Sequence, residues 1–502
     1  MNRTRINLSV TLLLFFCLLI GAGCKQQLDI NQNPNFPTLG QGKPSLVLPA
    51  AVLSTTGKVG ADLAIVGGIW AQYFTESAVA SQYKQVDAYN LQNTDNFVND
   101  VFDNMYSFGL KNYQFVIDES KVAEDWNTVL IATVMKAYTA GILVDMYDKI
   151  PYSEALQGAA NLKPKFDDGY DVYTSLLSSI DSALSNDFSA GTNTNLGTQD
   201  LVFGGDMSQW ILFANTLKLK FYLRMINAHP DVAQAGIQAM LTAGTPFLTT
   251  DAAVTNFSDA PSQDNPFWEW NKRTLNTGDN LKASGTFVLW LEANNDPRIV
   301  SYFGKTTPDY VNQGDFSGAG AHPSYLTAAN FVQSPTDPVE FISAAESYFM
   351  QAEAQVRYGD PASAKPLYDL GVQTAFSYLG LDGTSFTGAG GKYEWGNEIE
   401  DGAALTPIQQ IIRQKWASFP YGCHQIEGFF DKNRTGFPLT SPVYSTSTNP
   451  AYIPGQFVIS ANSVLDPGLL PKRFVYPYDE TSRNSNAPQT LVPMSTPVWW
   501  AL

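Results

Sequence analysis

The chain has 502 residues, 44% hydrophobic and 13% aromatic, with 30 Lys+Arg against 47 Asp+Glu and a formal net charge of −17. This composition can bury a large core, which excludes global disorder. The acidic balance argues against nucleic acid, which demands basic stripes to neutralise phosphates. Only three His and three Cys leave little material for a metal or redox enzyme.

Arg3 and Arg5 precede a mostly apolar run from Leu8 to Ile20, followed by Gly21-Ala22-Gly23 and Cys24. The run is too short to span a bilayer and reads as a secretory signal over residues 1–23. A Cys directly behind small residues is the lipobox arrangement, here with Gly21 where an aliphatic residue is usual. Cys24 is expected to be diacylated and to become the first residue of the mature chain. Two acyl chains anchor a protein stably without a transmembrane helix. No later stretch is expected to span a bilayer. With Cys17 removed and Cys24 acylated, Cys423 is the only thiol left and no intrachain disulfide is expected. Residues 24–40 are polar and Asn-rich and read as a lipidated tether. Residues 41–502 read as one mainly α domain, because no Pro/Ser-rich linker divides them.

Helical patterns follow in chain order. Trp126 to Tyr147 is apolar almost all round, as a buried helix requires. Tyr173, Leu176, Leu177, Ile180 and Leu184 form one stripe at helical spacing. Ser208 is the predicted N-cap of a helix carrying Trp210, Phe213, Ala214, Leu217 and Phe221. Ser343–Tyr358, Ala362–Tyr378 and Thr406–Phe419 predict three more helices. Alternating β patterns are short and scattered. Long polar loops cover roughly 186–207, 248–285, 303–340, 379–402 and 433–496. Loops of this length in a compact chain are usually functional. No strict repeat near period 34 is visible.

Three loop segments interleave aromatics with small polar residues. They are Gln82-Tyr83-Lys84 through Asn93, Trp268-Glu269-Trp270-Asn271, and Tyr393-Glu394-Trp395-Gly396-Asn397. Sugar rings stack on aromatic faces while amides bond their hydroxyls, so Tyr83, Asn93, Trp268, Trp270, Asn271, Tyr393, Trp395 and Asn397 are the candidate ligand-binding residues. The competing reading is that such rings pack the loops onto the scaffold.

Catalytic and metal templates fail. There is no His-Glu-x-x-His and no Gly-x-Ser-x-Gly. Gly388-Ala389-Gly390-Gly391-Lys392 misses the phosphate-loop pattern, with Phe386 at the first Gly and Tyr393 at the Ser/Thr. Cys423-His424 are adjacent, and adjacent side chains rarely face each other. Glu346 and Glu353 share a helical face, which suits an acid/base pair or, more simply, ion pairs to Lys415 or Arg434.

Several segments together resemble the SusD/RagB family, and within it the SusD-like 2 branch. Leu28-Asp29-Ile30-Asn31 with Asn33-Pro34-Asn35 resembles the family's start behind the lipobox. Asp145-Met146-Tyr147-Asp148-Lys149-Ile150-Pro151-Tyr152-Ser153-Glu154-Ala155 resembles its D-x-Y-G-x-I-P-Y-x-E-A stretch, with Asp148 in place of Gly. Trp210 with Ala214-Asn215-Thr216-Leu217-Lys218-Leu219 resembles its W-x-x-x-A-N-x-L-x-L helix. Asp296-Pro297-Arg298, Ala344 to Ala354, Gln414-Lys415-Trp416 and Glu427 to Pro438 resemble further motifs, with Phe429 for Trp and Asn433 for Arg in the last. Lys472 to Asn484 resembles its R-x-x-Y-P-x-x-E-x-x-N ending.

The resemblance implies a tetratricopeptide-like helical scaffold with long irregular ligand-binding loops and little β. It implies a non-enzymatic, surface-exposed outer-membrane lipoprotein of a Gram-negative bacterium, with no cofactor. The implied partners are a SusC-like TonB-dependent β-barrel transporter and an oligosaccharide; a peptide ligand is the alternative. A surface glycoside hydrolase using Glu346 and Glu353 is the remaining rival.

Overall fold

The computed structural model describes residues 42–275 and 280–502. The predicted signal sequence, Cys24 and the tether lie outside the described residues.

The principal helices are α1 (Pro44–Trp70), α2 (Lys111–Val122), α3 (Trp126–Tyr147), α4 (Gly169–Leu184), α5 (Met207–Arg224) and α6 (Pro230–Thr242). After these come α7 (Gly285–Ala293), α8 (Arg298–Phe303), α9 (Ala344–Tyr358), α10 (Ala364–Tyr378), α11 (Pro407–Ser418) and α12 (Ile426–Thr435). Consecutive helices pack on one another: α2 on α3, α3 on α4, α4 on α5, α9 on α10 and α11 on α12. The chain then closes on itself, since α12 packs on the last turns of α1 and α9 packs on α5. One hydrophobic cluster runs through all of these, from Leu48 to Trp500.

Local chemistry sets the helix starts. Asp125 caps α3 by accepting the Thr128 N–H at 3.3 Å. Ser343 caps α9 through the Glu346 N–H at 3.1 Å. Thr406 and Gln409 form a reciprocal capping box on α11, with Pro407 at the first helical position. The cap of α5 is Asp206 rather than Ser208: its Oδ1 accepts both the Ser208 N–H at 2.9 Å and the Ser208 hydroxyl at 2.5 Å. A carboxylate at that place out-competes a hydroxyl two residues on. The helix expected from Ala362 begins at Ala364, because Asp360 caps a short 3₁₀ turn over Pro361–Ser363 first.

Two helices do reach the length and hydropathy of a membrane span, contrary to the sequence expectation. Both bury that apolar surface inside the protein, with 94% of the relevant window of α3 buried and 72% of that of α1. Cys423 is free and buried.

The strands are short antiparallel ladders that tie loops to the helices. β1 (Phe74–Glu76) pairs with β3 (Leu281–Ala283), and β2 (Ala252–Val254) pairs with β4 (Val339–Ile342). They hold the polar stretches 248–285 and 303–340 against the end of α1.

Helix α1 crosses α12 at Gly67, where backbone meets backbone. A Cβ added there would lie 2.3 Å from the Ile426 amide nitrogen, which cannot move aside as a side chain could. Gly67→Ala is therefore expected to destabilise the fold by about 1–3 kcal/mol, the usual cost of overpacking, as measured by urea unfolding.

Charged residues from several distant segments meet in one buried chain of ion pairs. Arg224 reaches Asp145 at 3.4 Å and Glu427 at 2.7 Å. Lys220 bridges Glu427 at 3.1 Å and Glu346 at 2.9 Å. Lys415 links Glu346 at 3.5 Å to Asp431 at 3.0 Å. Arg434 joins Asp431 at 2.9 Å to Glu353 at 2.6 Å, and Arg357 closes the chain on Glu353 at 2.7 Å. Each carboxylate is thus matched by a cation, which is what a buried charge requires. Glu346 and Glu353 are both fully buried, so neither can act on a glycan as an acid or base.

Burial by itself pushes Glu353 and Glu427 upward, but the cations override it and hold both at about 2. Depressed folded-state values mean that the stability these groups add is complete above their ordinary value near 4.5 and is lost as pH falls toward 2. Their loss is accordingly expected to lower the urea midpoint steeply between about pH 4.5 and 2.

Candidate functional site

Asn265 builds the site locally. Its Oδ1 accepts the N–H groups of Phe267 at 2.8 Å and Trp268 at 3.1 Å, starting a helical turn with Pro266 first. Its Nδ2 donates to the Asp337 carbonyl at 2.9 Å, so the turn is stapled to the loop before β4. Arg273 steadies the far end through Asp264 and Asp259, each at 2.6 Å.

Trp268 is then left half-buried along a groove of ≈ 450 Å³ that also meets Lys272, Phe303, Lys305, Phe331 and Gln333. The floor is rigid: Phe331 packs against Phe74 at 5.3 Å, Tyr421 at 5.8 Å and Phe267 at 6.2 Å between ring centres. The amide of Gln333 is shielded from solvent, and among the described residues neither its oxygen nor its nitrogen has a partner. The Trp268 indole can stack a ring and the Lys272 and Lys305 side chains that line the groove can bond its hydroxyls, while the shielded Gln333 amide can join them only once its cover shifts.

The other sequence candidates lie elsewhere. Tyr83 and Asn271 are brought together, the Tyr83 hydroxyl donating to Asn271 Oδ1 at 3.2 Å, but both are buried and hold two loops to each other. Trp270 is half-buried against the core. Asn93 is half-buried, and its carbonyl accepts the Tyr478 N–H at 2.8 Å. Tyr393 is fully buried: it stacks on Trp290 at 5.7 Å and donates its hydroxyl to Asp296 Oδ2 at 2.6 Å. It belongs to the Asp296–Arg298 pair, whose guanidinium lies 4.4 Å from the Phe376 ring centre. As built, Tyr83 and Tyr393 have no open face for a ligand to stack on. Trp395 is half-buried beside Tyr368 at 5.0 Å, and Asn397 is exposed.

Removing the Tyr393 hydroxyl leaves a charge-assisted bond unmade. Tyr393→Phe is expected to cost about 1.5–3 kcal/mol of stability in urea unfolding, with ligand affinity unchanged.

Gln333, Lys305 and Phe331 were not legible as site residues. The sequence marked 303–340 as a long polar loop, but nothing local places Gln333 in one groove with Trp268. Cys423 and His424 turn apart as expected: Cys423 sits 3.4 Å from Asn265 Nδ2, while His424 Nδ1 faces Glu340 at 3.0 Å. Among the described residues no group of three or more His, Cys, Asp or Glu could hold a metal ion.

The family described as SusD-like 2, starch-binding associating with outer membrane, matches residues 41–458. A SusD homologue from Bacteroides uniformis has a TM-score of 0.72 at 22% identity, covering 91% of this chain and 99% of its own. A chitin-binding SusD homologue from Flavobacterium johnsoniae has a TM-score of 0.69 at 20% identity, covering 91% and 98%. A SusD homologue from Parabacteroides distasonis has a TM-score of 0.70 at 18% identity, covering 92% and 98%. Among curated proteins no relative matches. At these identities the solved structures establish the helical fold, and the matched family covers most of the chain: this protein belongs to the SusD-like 2 family.

Proposed function

We propose that this protein is a cell-surface glycan-binding lipoprotein, anchored through Cys24, that captures oligosaccharides and delivers them to a SusC-like TonB-dependent transporter. The observation that carries the reading is the groove lined by Trp268, Lys272, Lys305 and Gln333. A pyranose offers a C–H face to the indole and hydroxyls to the polar side chains beside it. The family description and the chitin-binding neighbour support a polysaccharide-derived ligand. Binding without turnover fits the sealed Glu346 and Glu353. The half-buried Trp395 and the exposed Asn397 form a second edge that a longer chain could reach.

Calorimetry of the purified protein against starch- and chitin-derived oligosaccharides and a peptide digest tests the ligand. Saturable binding of an oligosaccharide is expected; saturation by peptides alone would move the ligand to the other class. Solubilised outer membranes test the partner: a β-barrel transporter is expected to co-purify, and recovery of the protein alone would overturn the delivery role.

A further inference from the structure

The helical scaffold carries a second polar groove, remote in sequence from the aromatic loops. It lies between α2, α3 and α4 and has a volume of ≈ 230 Å³. That is below the roughly 300 Å³ at which drug-sized pockets begin, so it suits one ring rather than a chain. Gln114, Thr133, Lys136, Tyr152, Ser179 and Asn186 supply its polar wall, and no carboxylate lines it.

Lys136 is the anomaly. It is half-buried at the middle of α3, yet among the described residues no carboxylate lies within ion-pair distance of it. Compare Lys220 and Lys415, which burial forces into contact with acids at 2.9–3.5 Å. The Lys136 ammonium donates to Gln114 Oε1 at 2.6 Å and lies 5.2 Å from the centre of the Tyr152 ring. Gln114 is itself fixed, because its amide nitrogen donates to Asp118 at 2.7 Å. An ammonium has three donors, so Lys136 retains a donor toward the groove. Burial pushes its pKa down to about 8, which leaves it cationic at neutral pH. The acid that acts on it, Asp118, sits beyond Gln114, and Lys121 on the groove wall opposes it; a desolvated cation with no acid in contact is costly unless an anion completes it.

We infer that this groove is a binding site for a carboxylate-bearing, polyhydroxylated ligand the size of one sugar ring, its carboxylate on Lys136 and its hydroxyls on the Gln114, Thr133, Ser179 and Asn186 side. The inference does not depend on the role of the Trp268 groove.

The test is calorimetry on the full chain purified in detergent, with D-glucuronate, D-glucose and sulfate as probes. Glucuronate is expected to bind at least tenfold more tightly than either of the others. Equal affinity for glucose would show that charge is irrelevant, and equal affinity for sulfate that the ring is; either overturns the proposal. Lys136→Met is expected to weaken glucuronate binding at least tenfold, and an unchanged affinity overturns the assignment. Ser182→Trp, which fills the groove from an exposed position and leaves Lys136 in the sequence, is expected to block binding in a chain that melts like the parent. It keeps the test decisive should Lys136→Met fail to fold.

Discussion

Arg434→Met is expected to lower the unfolding free energy by about 3–5 kcal/mol, the cost of breaking a buried pair by removing one partner. Arg434 holds Glu353 through two bonds, at 2.6 and 2.8 Å, and Asp431 at 2.9 Å. All three side chains are at least 97% buried. Methionine fills much of the same space but donates nothing, so two carboxylates lose their shared cation inside the core. Lys415 and Arg357 still reach one each, which keeps the loss finite. The double variant Glu353→Met with Arg434→Met is expected to recover part of the loss, because a well-packed apolar pair can replace a buried ion pair at little cost. Urea unfolding of both single variants and the double gives the coupling energy. An Arg434→Met protein with the parent's midpoint would show that the ion-pair chain does not stabilise the fold.

The scaffold was readable where the signal is local. Helix α3 announces itself because 22 residues without a polar face must be covered on every side. Helix α1 does not, because Pro49, Gly57, Gly60, Gly67 and Gly68 depress helix propensity, and only packing against α2 and α12 makes the segment helical. The ion-pair chain was half readable. A spacing of seven puts Glu346 and Glu353 on one face, and Lys415 and Arg434 were nameable as partners. The roles of Lys220, Arg224 and Asp431 depend on segments far apart in sequence. The loops show the limit most clearly. Tyr393-Glu394-Trp395 and Trp268-Glu269-Trp270 have the same local pattern, yet Tyr393 is drawn into the core by Asp296 and Trp290. Trp268 stays half-buried because Asn265 turns the chain before it. Which ring faces out is decided by tertiary partners that no local pattern encodes.

Two substitutions in the groove are expected to separate binding from stability. Trp268→Ala removes the stacking wall and is expected to weaken oligosaccharide binding on the order of 10- to 100-fold, the range of a central aromatic contact. Gln333→Leu should move the two quantities in opposite directions. The free protein shields both amide atoms from solvent without a partner among the described residues, and an unmade buried hydrogen bond costs about 1–3 kcal/mol. Leucine, close in size and without polar atoms, removes that cost, so the urea midpoint rises. The same change removes the donor and acceptor that a sugar hydroxyl would meet once the cover shifts, so affinity falls about tenfold or more. A gain in stability coupled to a loss in binding is the mark of a polar group kept unpaired for a ligand. If Gln333→Leu loses stability, the amide is paired in solution. If both variants bind oligosaccharide like the parent, the glycan site lies outside this groove, and the edge at Trp395 and Asn397 becomes the place to look.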